Sequence, residues 1–252
     1  MTIFQAVVLG IVQGLTEFLP ISSSGHLVMF EQFFNLENEL FLTIALHFGT
    51  LFAVFFVYYK DVWHVIRHPT STLSKRLIIA TIPTVIIVWL FKSFAPSIFA
   101  SCFYIVGFAI SAFLLVVTSL VYRKNKNGII GVKSSIIIGI AQGLACLPGI
   151  SRSGSTICAG LLCGEDKKSV ADFSFLLSIP IIIASIAYEF IFDFSNITVP
   201  IIPLLVGMFC ACISGIFAIK FMLKIVQKAK LYYFSIYLFI LAFLLVFINF
   251  IR

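Results

Sequence analysis

Five side chains of reactive type stand together in an otherwise apolar stretch. They are Glu17, then Ser22, Ser23 and Ser24, then His26. A second polar cluster, Ser151-Arg152-Ser153-Gly154, interrupts another apolar stretch later in the chain. Ionisable groups at membrane depth are costly, so their presence there points to function. A short helix that starts at a serine offers free N–H groups and a positive dipole end to an anion. Arginine adds a planar, permanently charged fork that suits phosphate oxygens. Hydroxyl, imidazole, carboxylate and guanidinium together meet the needs of phosphoryl hydrolysis: charge stabilisation, in-line positioning and proton transfer.

Each group also has a plainer reading. The serines can serve as helix caps that solvate a hinge. Arg152 can pair with Glu17 as a structural ion pair, and His26 can be a satisfied core histidine. Gln13, Gln142 and the glycines at 10, 14, 139 and 143 fit helix packing at small-xxx-small spacing. Asp172 reads as a cap or an ion-pair partner. His47, His64 and His68 show no ligand spacing, and the last two fall in a basic loop. The six cysteines form no CxxC pair and read as small hydrophobes.

Ser23 is the middle hydroxyl of the first cluster, three residues before His26 and six after Glu17. A helix starting at that tip places Ser23 and His26 on one face. Ser23 is then the favoured nucleophile, with Glu17 steering His26 or holding a metal ion. Attack by His26, or by water directly, stays open.

The elements that must hold these groups follow from a repeat. Residues 10–25 and 139–154 match at nine of sixteen positions: Gly-Ile-x-Gln-Gly-Leu, then Ile-Ser-x-Ser-Gly at the same spacing. Hydrophobicity alone does not produce that match. The chain of 252 residues is 61% hydrophobic and only 11% charged, with a mean hydropathy of +1.15. A soluble domain carries about 25% charged residues, so the composition requires an integral membrane protein. The net charge of +7 does not signal nucleic acid, because the Lys and Arg sit in short loops between apolar runs. No basic stretch precedes the first apolar run, which predicts no signal peptide.

Apolar runs at residues 40–59, 77–91, 102–122, 173–188, 199–221 and 232–251 meet or approach the about 20 residues that a spanning helix needs. The two polar-tipped segments are broken midway by Pro, Gly and Ser. Broken backbone at depth must line a cavity or be buried in protein, so each is expected to be a re-entrant helix hairpin. With six spans, the basic loops at 60–76, 123–133, 167–168 and 224–230 share one side, the cytoplasm. Glu31, Glu37, Glu39, Glu189 and Asp193 fall on the other. The expected fold is an all-α integral membrane protein forming a single membrane domain over residues 1–252. Its halves, about 1–128 and 129–252, form an inverted-topology repeat, each a re-entrant helix hairpin plus three transmembrane helices.

The stretch Gln13-Gly14-Leu15-Thr16-Glu17-Phe18-Leu19-Pro20-Ile21-Ser22-Ser23-Ser24-Gly25-His26 resembles the first signature of the undecaprenyl pyrophosphate phosphatase family, the bacitracin-resistance type. Pro148-Gly149-Ile150-Ser151-Arg152-Ser153-Gly154-Ser155-Thr156 is similar to its second, PGxSRSGxT. The resemblance implies a bacterial inner-membrane enzyme that hydrolyses undecaprenyl diphosphate to undecaprenyl phosphate and phosphate. Such an enzyme recycles the carrier for cell-wall polymers and opens its site toward the outer face. It implies a divalent cation, Mg2+ or Ca2+, and leaves room for a homo-oligomer. Catalysis falls to Glu17, Ser23, His26 and Arg152. Substrate binding falls to Ser22, Ser24, Gly25, Ser151, Ser153, Gly154 and Thr156. Gln13 stands where the family has Glu or Gln, so Glu17 is the only motif carboxylate left to hold a metal.

The lipid phosphatases related to acid phosphatases also carry Ser-Gly-His, but need a His about six residues after a later Ser-Arg. Cys158 stands at that position here, and the match fails. An inverted repeat with broken helices also suits a transporter or lipid flippase. Phosphate release from a prenyl diphosphate in detergent separates the two, because transport needs two compartments.

Overall fold

The computed structural model describes residues 1–36, 40–95, 103–123, 128–192, 200–228 and 230–251. Among the described residues every regular element is a helix. The first hairpin is α1 (Ile3–Phe18) and α2 (Ser23–Phe33). Then follow α3 (Leu40–Val57), α4 (Tyr59–Arg67), α5 (Thr72–Phe94) and α6 (Phe103–Val121). The second hairpin is α7 (Val132–Leu144) and α8 (Arg152–Leu162), followed by α9 (Lys167–Phe192), α10 (Ile201–Gln227) and α11 (Tyr232–Ile251).

Four of these helices, α5, α6, α9 and α10, are long and apolar enough to cross a membrane. The bent pair α3–α4 makes a fifth if it counts as one span, and α11 is apolar but shorter by the same test. Large side chains face outward along them: Phe56, Trp89, Phe113, Phe209 and Phe243 are all exposed. A monomer in water does not sustain so much exposed apolar surface, whereas lipid does. The chain is an all-helical, multi-pass membrane protein. The expected Glu37, Glu39 and Asp193, like Lys124, Lys126 and Cys102, lie outside the described residues, and so does Asn196.

One expected loop is a helix. The run after residue 59 reads as a basic loop, yet α4 turns 87° from α3 and continues helically to Arg67. Asp61 in its first turn and His64 and Arg67 in its last match the helix dipole. Arg67 also stacks over Trp63, 4.5 Å from the ring centroid. Apolar and polar residues divide between its faces, which suits a helix lying along an interface; a count of charges alone misses this.

Small residues set the packing. α1 lies on α10, α5 on α7, α3 on α10 and α9, and α6 on α11. A Cβ at Gly10 would sit 2.4 Å from the Gly207 carbonyl oxygen, and one at Gly139 2.1 Å from that of Ala80. These helices approach closely because nothing but hydrogen stands between them, as the glycine spacing predicts. Four later helices begin at one constant distance after four earlier ones, while Lys167 of α9 follows Leu40 of α3 by 127 residues. Val132 follows Ile3, Arg152 follows Ser23, Ile201 follows Thr72 and Tyr232 follows Phe103, each by 129 residues.

Pro20, Gly149 and neighbours break the hairpins as the sequence predicts. α1 ends at Phe18 and α2 starts at Ser23, while α7 ends at Leu144 and α8 starts at Arg152. Gly149 has φ +82°, and a Cβ there would lie 2.0 Å from the Tyr104 carbonyl oxygen. Only glycine suits that turn.

Candidate functional site

The two hairpin tips meet. Ser153 Oγ, at the tip of the second hairpin, donates to the Leu19 carbonyl of the first across 2.9 Å. Glu17 is buried on the last turn of α1, facing both tips. Its Oε2 accepts from Ser23 Oγ at 2.6 Å and from Gln13 Nε2 at 3.1 Å. Its Oε1 pairs with Arg152 Nη2. Ser23 and Arg152 are each the first residue of their short helix and occupy equivalent places in the repeat. One carboxylate thus collects a hydroxyl from one tip and a guanidinium from the other. Breaking a buried pair of this kind by removing one partner costs about 3–5 kcal/mol.

A cavity of about 710 Å³ opens over this arrangement. Glu17, Ser22, Ser23, Ser24, Ser151 and Arg152 line its polar end. Val85, Val88 and Trp89 of α5, with Ile181, Ile182 and Ala184 of α9, form apolar walls. Space with a few converging polar groups at one end and apolar walls beyond suits an amphiphile with an anionic head.

The tips differ in detail. Ser151 caps α8 by accepting the Gly154 N–H at 3.1 Å. Ser22 precedes α2 with φ 67° and ψ 103°, and its side chain makes no capping bond. Its hydroxyl instead meets Ser24 Oγ at 3.3 Å. The expectation that a serine side chain caps both helices holds at Ser151 and not at Ser22. The Ser22 side chain thus leaves the first N–H groups of the helix uncapped, and such groups at a helix start suit an anion.

His26 is not where the helical spacing suggests. Its ring points away from Ser23: Nδ1 lies 2.7 Å from the Ser22 carbonyl and Nε2 lies 2.7 Å from Tyr237 Oη on α11. It is buried and does not line the cavity. The partner that Ser23 finds is Glu17, because α1 stops one and a half turns below the tip and aims its carboxylate upward. Gly25, Ser153, Gly154 and Thr156 also stay out of the cavity lining. Gly25 packs against Phe108, whose ring would lie 2.4 Å from an added Cβ. Gly154 sits against Pro20. Thr156 Oγ1 contacts Ser174 Oγ at 2.6 Å and the Arg152 carbonyl at 3.0 Å. Asp172 Oδ1 accepts from Tyr58 Oη at 2.8 Å, and among the described residues no capping bond or salt bridge to it is seen.

Several polar cavity residues escape the sequence reading, among them His47, Thr84, Lys92 and Gln142. His47 on α3 lies within electrostatic range of Glu17 and lines the cavity. Lys92, Thr84 and Gln142 also line it, and Gln142 Nε2 donates to Thr84 Oγ1 at 3.3 Å. His47 sits in a span with no polar neighbour in sequence, so no local pattern marks it. The match of Gln142 to Gln13 in the repeat was the one available signal for that residue.

Among the described residues no three His, Cys, Asp or Glu side chains converge into a metal cage. Among the described residues Glu17 is the only carboxylate lining the cavity. That donor set suits a magnesium-like ion that takes one protein carboxylate and completes its shell from phosphate oxygens and water.

Residues 6–244 match the family described as "Bacitracin resistance protein BacA". The chain is 40% identical over 252 residues to an undecaprenyl-diphosphatase of Carboxydothermus hydrogenoformans, covering 96% of this chain and 95% of that protein. It is 39% identical over 254 residues to one of Halothermothrix orenii, covering 98% of each. One of Methanobrevibacter smithii is 38% identical over 265 residues, covering 94% of each.

Proposed function

The chain belongs to the bacitracin resistance protein BacA family, and from that premise we propose that it hydrolyses undecaprenyl diphosphate to undecaprenyl phosphate and inorganic phosphate. It is a membrane hydrolase acting on a phosphoric anhydride. The observation that carries the reading is Glu17, holding Ser23 on one oxygen and Arg152 on the other at the polar end of an apolar-walled cavity. The diphosphate sits at the tips and the prenyl chain runs between α5 and α9. The transporter reading gains no support from relatives that are named as phosphatases.

The proposed chemistry uses few groups. Ser23 Oγ attacks the terminal phosphorus, and its proton passes to Glu17 Oε2. The bond from that phosphorus to the bridging oxygen breaks, and undecaprenyl phosphate leaves. Water then hydrolyses the phosphoserine, returning the proton to Ser23 and releasing phosphate. Arg152 shifts its fork from Glu17 onto the phosphoryl oxygens as the carboxylate accepts the proton. Ser22, Ser24 and Ser151, with the open N–H groups of α2, hold the remaining oxygens. Glu17 would be the protein ligand of a divalent cation, Mg2+ or Ca2+, which would supply charge neutralisation to the diphosphate when bound. Attack by His26 is disfavoured, because both its ring nitrogens are engaged and the ring faces away from the cavity.

The inverted-topology repeat of two hairpins and six spans, with halves near 1–128 and 129–252, is part of the proposal. Two facts support it: the 129-residue register shared by four pairs of helix starts and the pairing of contacts. Exchanging halves turns the α1–α10 contact into α7–α5 and α3–α10 into α9–α5, and all four are present. Lys75 and Arg76 near the start of α5 favour a cytoplasmic position for that end. Lys92 and Ser93 near its other end line the cavity, which supports an opening toward the outer face of the bacterial inner membrane.

The test is phosphate release from undecaprenyl diphosphate by the purified protein in detergent. Release that disappears in Ser23→Ala supports the reading. A folded parent without turnover refutes it.

A further inference from the structure

His26 and Tyr237 are 211 residues apart in sequence and meet through a 2.7 Å contact between Nε2 and Oη. Their rings stack at an interplanar angle of 14° with centroids 5.8 Å apart. Phe108 of α6 closes the remaining side edge-on, with centroids 5.3 Å apart. The protonation pattern follows from the partners. The Ser22 carbonyl can only accept, so Nδ1 carries the hydrogen and donates across 2.7 Å. In the neutral ring Nε2 is then an acceptor, and Tyr237 Oη–H is its donor.

The recipient of the Nδ1 bond is the residue with the unusual backbone. Ser22 has φ 67° and no capping bond from its own side chain. A non-glycine residue held there is strained and persists only where its surroundings fix it. The His26 bond is the side-chain contact to that carbonyl. Ser22 directly precedes Ser23, so its dihedrals aim both the Ser23 hydroxyl and the first N–H groups of α2.

We propose that Tyr237 is a positioning residue for the phosphatase reaction: its hydroxyl holds His26 as the neutral Nδ1–H imidazole that clamps the strained Ser22 tip. The terminal helix thereby sets the geometry of a site that it does not line. The inference rests on the phosphatase reading. The titratable groups on elements packed at α2 are Glu17 of α1, Tyr104 of α6, and Tyr232, Tyr233 and Tyr237 of α11. Glu17 is turned to Ser23 and Arg152, Tyr104 packs on Phe108, and Tyr232 and Tyr233 pack on each other. Tyr237 is the one whose contact with the imidazole is seen among the described residues. Without its hydroxyl, the Nε2 lone pair is open to a proton.

The experiment compares the parent with Tyr237→Phe in detergent, measuring kcat and KM for undecaprenyl diphosphate across acid to neutral pH. Nitrogen-15 histidine spectra are recorded on both proteins. The phenyl ring keeps the stack, so the variant folds and its thermal unfolding stays near the parent's. A drop of about tenfold or more in kcat is expected, with KM little changed, as for a small misplacement of reacting groups. The variant's loss of turnover toward acid pH should set in at a higher pH than the parent's, which reflects the Glu17 base alone. The parent spectrum should show His26 as the neutral Nδ1–H tautomer, and the variant should protonate it at acid pH. Parent-like kcat and pH profile in Tyr237→Phe, or an Nε2–H tautomer in the parent, overturns the role. A parent without turnover sinks the phosphatase reading and this role with it, whereas an active parent with an indifferent variant sinks this role alone.

Discussion

Ser23 donates its hydroxyl hydrogen to Glu17 Oε2 across 2.6 Å, around the tip of the first hairpin. The other oxygen of the same carboxylate holds Arg152, 135 residues further along the chain. The proton acceptor, hydroxyl and phosphate clamp of the proposed mechanism are therefore in contact without substrate.

Glu17→Gln removes the proton acceptor and leaves Arg152 without its anion. Turnover should fall by about a hundredfold to ten-thousandfold, the range set by loss of a general base. Phosphate release at saturating substrate reads it. A Gln variant within a few fold of the parent rules out Glu17 as the base.

Rapid quench with terminally labelled substrate should trap label on the protein. An ester on Ser23 survives acid, whereas a phosphohistidine does not. Ser23→Ala should abolish both the label and turnover. Acid-labile label would move the attack to His26, and absence of label with normal parent turnover would give it to water.

Arg152→Lys keeps the charge and loses the fork. The long stem still reaches Glu17, so the protein should fold, yet turnover should drop by about a hundredfold. Near-normal kcat in the Lys variant removes the clamp role.

Gly139→Val should act on stability, because a Cβ there meets the Ala80 carbonyl at 2.1 Å and Pro83 at 2.8 Å. Overpacking of this kind costs about 1–3 kcal/mol. Thermal unfolding in detergent should shift down by several degrees. An unchanged transition would show that α5 and α7 are not pressed together at this point.

Single cysteines probed by impermeant reagents test the sidedness. Lys75→Cys should label only from the cytoplasm and Asp193→Cys only from outside. External labelling at 75 contradicts the proposed topology.

Composition and local pattern were enough for the membrane class, the helices, the broken hairpins and the reactive tips. Those properties depend on hydropathy over a turn or two, on Pro and Gly breaking backbone, and on a repeat that needs no folding to be read. Even the close packing at Gly10 and Gly139 was legible, since small residues at that spacing leave a groove. Tertiary structure decided who meets whom. That Glu17 takes both Ser23 and Arg152, that His26 turns to Tyr237, and that His47 and Lys92 join the cavity depend on how α3, α5, α8 and α11 are placed around the tips. The same holds for α4, which turns 87° from α3. A helical period fixes which residues share a face, but only contacts between distant helices fix what that face touches.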